Sequence, residues 1–496
     1  MSASLKQRDF NNLSAAKRAL LEKRLRGADK PAGDSSEARF PRITPDPENR
    51  FSPFGLTPFQ LELWRARNTT GISPWFYLET KRRDLDLARF ENAWRQLVNR
   101  HDMLRSVMLP DGRQKVIDLI PDCELIKEDL RSCSVEEQEA RIREIRSDML
   151  RQPKEEPIHP VEIRACRIGD NEWRLHFGFS TQIFDLASVE LMAADCRAVY
   201  EGDATHGSPL PVTFRDVVLI EDDFSETMEF QRASDYWSER FRQLPEPAQF
   251  PPEARGEADA AVFEHRHLLI DVPQWQAIKN KAKANGLTDS MVVFAAFNEV
   301  LSAAIQQRHY ALETRVFRRL PLHDHVYELA GQYVAGVVSE VDLRQPMSLL
   351  ERGKAFEQAT WRDLDNAFVD AARRWRFERG VLPAEPSVVY TSTIARFENF
   401  VQLGDEPPMK WFGEPEFVRY QSPNLGLEFF VMESRGTLEC HWFANTQFVS
   451  ATVVSRMAEQ YQRFIKALAE TDTAWHEVMQ HASLPEVGAC ELGGAS

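Results

Sequence analysis

A strand that passes directly into a helix around one apolar-flanked carboxylate is the most restrictive feature of this sequence. Trp173, Leu175, Phe177 and Phe179 alternate with polar or small residues, the pattern of a half-buried strand. The chain turns through Ser180 to Gln182. Leu186, Val189, Met192, Ala193 and Cys196 then recur at helical spacing. A period of two giving way so abruptly to one of 3.6 points to a mixed α/β fold. Asp185, between Phe184 and Leu186, stands at the junction, and a carboxylate in such apolar company is paired or functional.

The same two periods recur along the chain. Leu87, Phe90, Trp94, Leu97 and Val98 mark an amphipathic helix, and Val161–Ile168 with Glu172–Phe179 forms a hairpin across Gly169-Asp170. After a proline-rich break at Leu244–Pro252 a similar order begins again. Its strands are expected at 264–270, 310–317, 334–342, 387–392, 417–421, 425–432 and 437–442. Its helices are expected at 273–285, 290–306, 349–379 and 451–469. The expected organisation is a basic helix and linker (1–50), two similar α/β lobes (51–250 and 251–475) and a flexible tail (476–496). Within the first thirty residues eight Lys or Arg face three Asp or Glu, which suits a docking helix for an acidic partner.

A net charge of −15 without any Lys/Arg-rich block argues against nucleic-acid binding. The first thirty residues lack a signal-peptide core, and Asn298 and Glu299 interrupt the longest apolar run, 291–305, so a buried helix is expected there rather than a membrane span. The six cysteines form no CxxC pair and no zinc spacing, which fits a reduced, cytoplasmic protein with no disulfide and no metal. There is no GxSxG elbow, phosphate-binding glycine loop or HExxH helix. The short pairs His265/His267 and His323/His325 lack a third ligand in sequence and read as surface histidines.

Several motifs do resemble those of one family. Phe54-Gly55-Leu56-Thr57-Pro58-Phe59-Gln60 with Trp64 and Arg67, Arg100 to Arg105, and Leu109 to Gln114 resemble the opening motifs of nonribosomal peptide synthetase heterocyclization domains. Arg319-Leu320-Pro321-Leu322, Trp361 to Asp365 and Val388 to Ser392 resemble later ones, in order, over roughly residues 51 to 470. The family's signature, Asp, four residues, Asp, two residues, Ser, is represented by Ser180, Asp185 and Ser188, so the first acid is absent. Gly331-Gln332-Tyr333-Val334 stands where the family has Gly-Asp-Phe-Thr, and Arg318 where it has Asn.

The resemblance implies an α/β fold of two chloramphenicol-acetyltransferase-like lobes, a V-shaped pseudodimer with a central tunnel. It implies an acyltransferase with no cofactor of its own, whose substrates arrive on the 4'-phosphopantetheine arms of partner carrier proteins and synthetase subunits, with residues 1–30 available for docking. The implied reaction joins a carrier-bound acyl group to carrier-bound Cys, Ser or Thr and then cyclodehydrates the amide to a thiazoline or oxazoline. Amide formation alone, another acyl transfer, or an inactive docking module are the alternatives on the same fold. The resemblance places the catalytic Thr at Thr391 and the acid at Glu428, where the family usually has Asp. It also suggests a structural ion pair between Arg105 and Asp185.

Overall fold

The structure, a computed structural model, describes residues 40–118, 125–151, 160–256, 261–394 and 407–478. The expected basic helix within 1–30 and most of the expected tail lie outside the described residues.

The strands, in chain order, are β1 (Trp75–Arg83), β2 (Ser106–Met108), β3 (Gln114–Val116), β4 (Ile126–Asp129), β5 (Val161–Gly169), β6 (Glu172–Ser180), β7 (Phe263–Ile270), β8 (His309–Phe317), β9 (Val334–Asp342), β10 (Ser387–Ser392), β11 (Glu414–Gln421), β12 (Leu425–Ser434) and β13 (Thr437–Asn445). Two large sheets result, one ordered β11-β1-β6-β5-β4 and the other β7-β13-β12-β10-β8-β9. Each carries its own aromatic core. Phe90, Phe177, Phe179 and Phe412 pack in the first lobe, and Trp275, Phe297, Phe429, Trp442 and Tyr461 in the second. The helix Asp289–Ile305, the long apolar run of the sequence, is buried inside the second core, and among the described residues no single helix is long and apolar enough to cross a membrane.

The lobes exchange elements across the chain position near 250. Strand β11, late in the chain, pairs antiparallel with β1 and completes the first sheet. In the other direction, Trp237 of the helix Met228–Phe241 packs with Val337, Val338 and Trp375 of the second lobe. The expected helix 349–379 is two helices, Leu349–Leu364 and Ala371–Glu378, because Asp370 caps the second by accepting from Arg373 N. Asp102–Arg105 forms a 3-10 turn, followed by the three residues of β2.

Local chemistry explains the elements nearest the cleft. Thr57 and Gln60 form a reciprocal capping box around Pro58 at the start of the helix Pro58–Thr70. The buried Gln60 then trades side-chain hydrogen bonds with Gln114 at 2.9 and 3.2 Å and donates to the Gln182 carbonyl at 3.0 Å. The opening motif, the hairpin at 109–114 and the signature turn thereby meet at one point.

Candidate functional site between the lobes

The signature turn is a latch between lobes. Asp185 caps the helix Leu186–Glu201, its Oδ1 accepting from Ser188 N at 2.7 Å, with Ser188 Oγ 2.6 Å away. The second lobe supplies the rest. Arg319 Nη2 donates to Ser188 Oγ (2.8 Å) and Asp185 Oδ1 (3.2 Å), Gly331 N donates to Ser188 Oγ (3.0 Å), and Asp185 N donates to the Gly331 carbonyl (3.1 Å). A side chain at 331 has no room, since its Cβ would lie 2.3 Å from the Phe214 ring. Gln332, in the altered Gly-Asp-Phe-Thr motif, donates its amide to the carbonyls of Thr181 and Phe184.

The expected Arg105–Asp185 pair is not formed. Arg105 bonds Asp102 at 2.7 Å, three residues away on the same 3-10 turn, and the carbonyls of Val98 and Ile117. The partner of Asp185 is Arg319, at 3.2 Å with both side chains buried. Local geometry explains the exchange: Asp102 lies within one turn of Arg105 and already receives Arg50 on its two oxygens at 2.8 Å. Ser180 contributes backbone. Its carbonyl accepts from Ile183 N and Phe184 N, both at 3.0 Å, and it does not line the cavity described next.

Between the sheets lies a largely apolar cavity of about 200 Å³, walled by Phe59, Phe76, Phe184 and Asp185 from the first lobe and by Arg315, Thr391, Glu428 and Phe430 from the second. Three neighbouring strands bring its polar groups together. Arg315 on β8 pairs in register with Thr391 on β10, and Thr391 with Phe430 on β12, which places Glu428 on the same face two residues along. Thr391 Oγ1 donates to Glu428 Oε1 at 2.6 Å, and Arg315 Nη1 donates to Glu428 Oε2 at 2.7 Å and lies 3.3 Å from the Tyr420 hydroxyl. Thr391 and Glu428 are 4% and 5% exposed. A buried carboxylate that holds a hydroxyl on one oxygen and a guanidinium on the other can accept a proton through the hydroxyl, while the cation offsets its charge.

Behind Arg315 runs a chain of alternating charge. Arg315 Nε is 3.4 Å from Glu313, and Arg373 bridges Glu313 and Glu62 at 2.7 Å each. Glu62 sits on the first helix and also accepts from Asn424 Nδ2 at 2.7 Å, so the chain ties the lobes together beneath the cavity floor. Burial pushes the Glu313 carboxyl up, but Arg373 and Arg315 outweigh it and hold the group below its usual range. Arg315, Arg373 and Glu62 were not anticipated from sequence. A usable signal existed in Glu313 and Arg315, two charges on one face of a largely apolar strand.

Next to the cavity, and sharing Pro407 and Lys410 with it, an open groove of about 980 Å³ is lined by Lys81, Arg82, Arg83, Arg197, Lys410 and Arg435 against Glu201, Glu414 and Glu416. Arg82 stacks over the Trp411 ring at 4.6 Å.

The family profile of the condensation domain matches residues 73–483. The chain is 27% identical over 395 residues to pyochelin synthetase PchF of Pseudomonas aeruginosa strain UCBPP-PA14, covering 79% of this chain and 22% of that protein. It is 27% identical over 434 residues to phenyloxazoline synthase MbtB of Mycobacterium tuberculosis strain H37Rv, covering 85% of this chain and 30% of that protein. The chain thus spans less than a third of these two curated relatives. The cyclization-docking bidomain of the EpoB nonribosomal peptide synthetase from Sorangium cellulosum superposes with a TM-score of 0.79 at 26% identity, covering 96% of this chain and 94% of that one.

Proposed function

The chain belongs to the condensation-domain family, in its heterocyclization branch, and from that premise we propose that it joins a carrier-bound acyl group to carrier-bound Cys, Ser or Thr and closes the product to a thiazoline or oxazoline. The observation that carries this reading is the Arg315–Glu428–Thr391 constellation, buried in a cavity that both lobes wall.

Amide formation needs little chemistry from the protein. The acceptor amine attacks the donor thioester, the C–N bond forms, the thiol of the donor arm leaves with a proton, and holding the two tethered reactants together supplies on the order of 7–11 kcal/mol. Ring closure asks for more. The side-chain sulfur or oxygen attacks the new amide carbon and loses its proton, and the former carbonyl oxygen becomes a hydroxyl. That hydroxyl is then protonated and leaves as water while the amide nitrogen gives up its proton to form C=N. Glu428 takes up and returns these protons, Thr391 passes them or hydrogen-bonds the departing oxygen, and Arg315 holds the carboxylate in place. The apolar wall limits competing water.

Both substrates would come on the 4'-phosphopantetheine arms of carrier proteins. The basic groove beside Lys410 fits the approach of an acidic carrier, and the basic residues 1–30 are a second docking element toward synthetase subunits. The buried free thiols of Cys166, Cys196 and Cys440 agree with a reducing, cytoplasmic setting.

The test is reconstitution with an acyl-loaded donor carrier and Cys-, Ser- or Thr-loaded acceptor carriers, reading the intact mass of the acceptor. Gain of the acyl group less one water is the expected result. Gain of the acyl group alone reduces the activity to condensation, and no gain overturns the reading.

A further inference from the structure

The sequence shows His265 and His267 as an isolated pair on a strand. Strand pairing adds the ligands that the linear spacing lacks. On β13, antiparallel to β7, His441 stands directly opposite His267 and Phe443 opposite His265. Glu439, two residues before His441, projects from the same face. A ligand atom from each of His267, Glu439 and His441 lies within 4.8 Å of the other two.

The atoms lie near the spacing of a metal's ligands. His267 Nε2 is 3.6 Å and His441 Nε2 3.7 Å from the same Glu439 oxygen, Oε2. Bonds of 2.0–2.1 Å around a tetrahedral ion set its ligands about 3.3 Å apart, so small side-chain movements suffice. His441 Nε2 is buried and, among the described residues, has no hydrogen-bond partner. The outward-facing atoms are held by other groups: His441 Nδ1 is 2.9 Å from His265 Nε2, and Glu439 Oε1 receives Lys410 Nζ at 3.0 Å. These are the outer contacts that fix a ligand's tautomer and orientation in metal sites. The two facing rings are stacked, 4.6 Å between centroids and 16° between planes, so the ring of His267, 42% exposed, must turn to aim its lone pair at a shared ion.

We propose that His267, Glu439 and His441 form a binding site for one divalent transition-metal ion of the zinc type, with His265 and Lys410 as its outer shell. Two imidazoles and one carboxylate suit such an ion better than magnesium or calcium, which take oxygen ligands. Glu439 and His441 also line the cavity between the lobes, so a further coordination position faces the space that holds Thr391 and Glu428. The site is independent of the ring-closing reaction proposed for the chain.

The test uses the full chain, stripped with a chelator and then titrated with Co²⁺ while its visible d–d absorption is followed, and with Zn²⁺ against a chromophoric chelator. One equivalent should bind, with the absorption of a nitrogen- and oxygen-ligated site of low coordination number. His267→Ala, on a half-exposed ring, should keep the circular dichroism of the parent and weaken binding at least about tenfold. Glu439→Gln should do the same. His323→Ala, in the half-buried His323/His325 pair, should leave affinity unchanged. Absence of stoichiometric binding, parental affinity in both His267→Ala and Glu439→Gln, or loss of binding in His323→Ala overturns the assignment.

Discussion

Two buried carboxylates face the same cavity, and one stretch of chain supplies an arginine to each. Asp185 receives Arg319 at 3.2 Å and Glu428 receives Arg315 at 2.7 Å. Their other partners differ. Asp185 is bound by the backbone of its own helix, its N–H donates to the Gly331 carbonyl of the other lobe, and Ser188 Oγ bonds both backbone groups of Gly331. Among the described residues Glu428 is held by side chains, a hydroxyl on one oxygen and a guanidinium on the other. A carboxylate that is wired into main chain holds two lobes in register. One that is held by side chains can change protonation without moving an element. The signature motif is therefore read as a structural latch, and the proposed chemistry falls to the face carrying Thr391.

Substitutions should separate these two roles. The largest effect is expected from Glu428→Gln, which should slow ring closure about 10²–10⁴-fold, the range of a lost acid–base group, while amide formation falls far less. Thr391→Ala should show the same split, measured as the ratio of dehydrated to undehydrated acceptor mass. Equal loss of both steps would remove the special role of this face. Next is Arg319→Met, which strands Asp185 and should lower stability by about 3–5 kcal/mol in denaturant unfolding while leaving the product ratio unchanged. A changed ratio would carry the chemistry into the latch.

Ser180→Asp restores the acid that the family signature has. Because Ser180 is buried and outside the cavity wall, the new carboxylate should cost about 1–3 kcal/mol and bring no gain in ring closure. Faster closure would show that the first acid acts directly. An effect confined to acid pH concerns His176, on β6 just before the turn. Burial, reinforced by the charges of Arg174 and Arg146, pushes its pKa from 6.5 down to about 3. The unfolded chain therefore binds the proton first, and stability should fall by up to roughly 1.4 kcal/mol per pH unit as pH drops from 6.5 toward 3. His176→Gln should flatten that slope in acid titrations monitored by fluorescence.

Much of this was legible in the chain. Alternation and helical spacing located β5, β6, β9 and β10 and the start of the helix Leu186–Glu201 to within a residue or so, because their apolar residues recur at strand or helix spacing. The break at 365–370 was hidden, since helical spacing continues across it and only Asp370, whose Oδ1 accepts from Gly336 N and Arg373 N, marks the second start. Thr391 and Glu428 were reached through motif resemblance, and the structure brings them within 2.6 Å. Arg105 was assigned to the wrong carboxylate because resemblance orders motifs along the chain but does not rank the partners within reach of a guanidinium.

Sequence by itself determined most of the elements, the two-lobe class and the family, because periodicity and motif order are properties of neighbouring residues. Only the tertiary structure decided which charge meets which. Arg319 with Asp185, Arg315 with Glu428, and His267 with His441 and Glu439 join positions 113 to 174 residues apart. Such pairings depend on strand register and lobe docking, where a shift of one residue would turn each side chain to the opposite face.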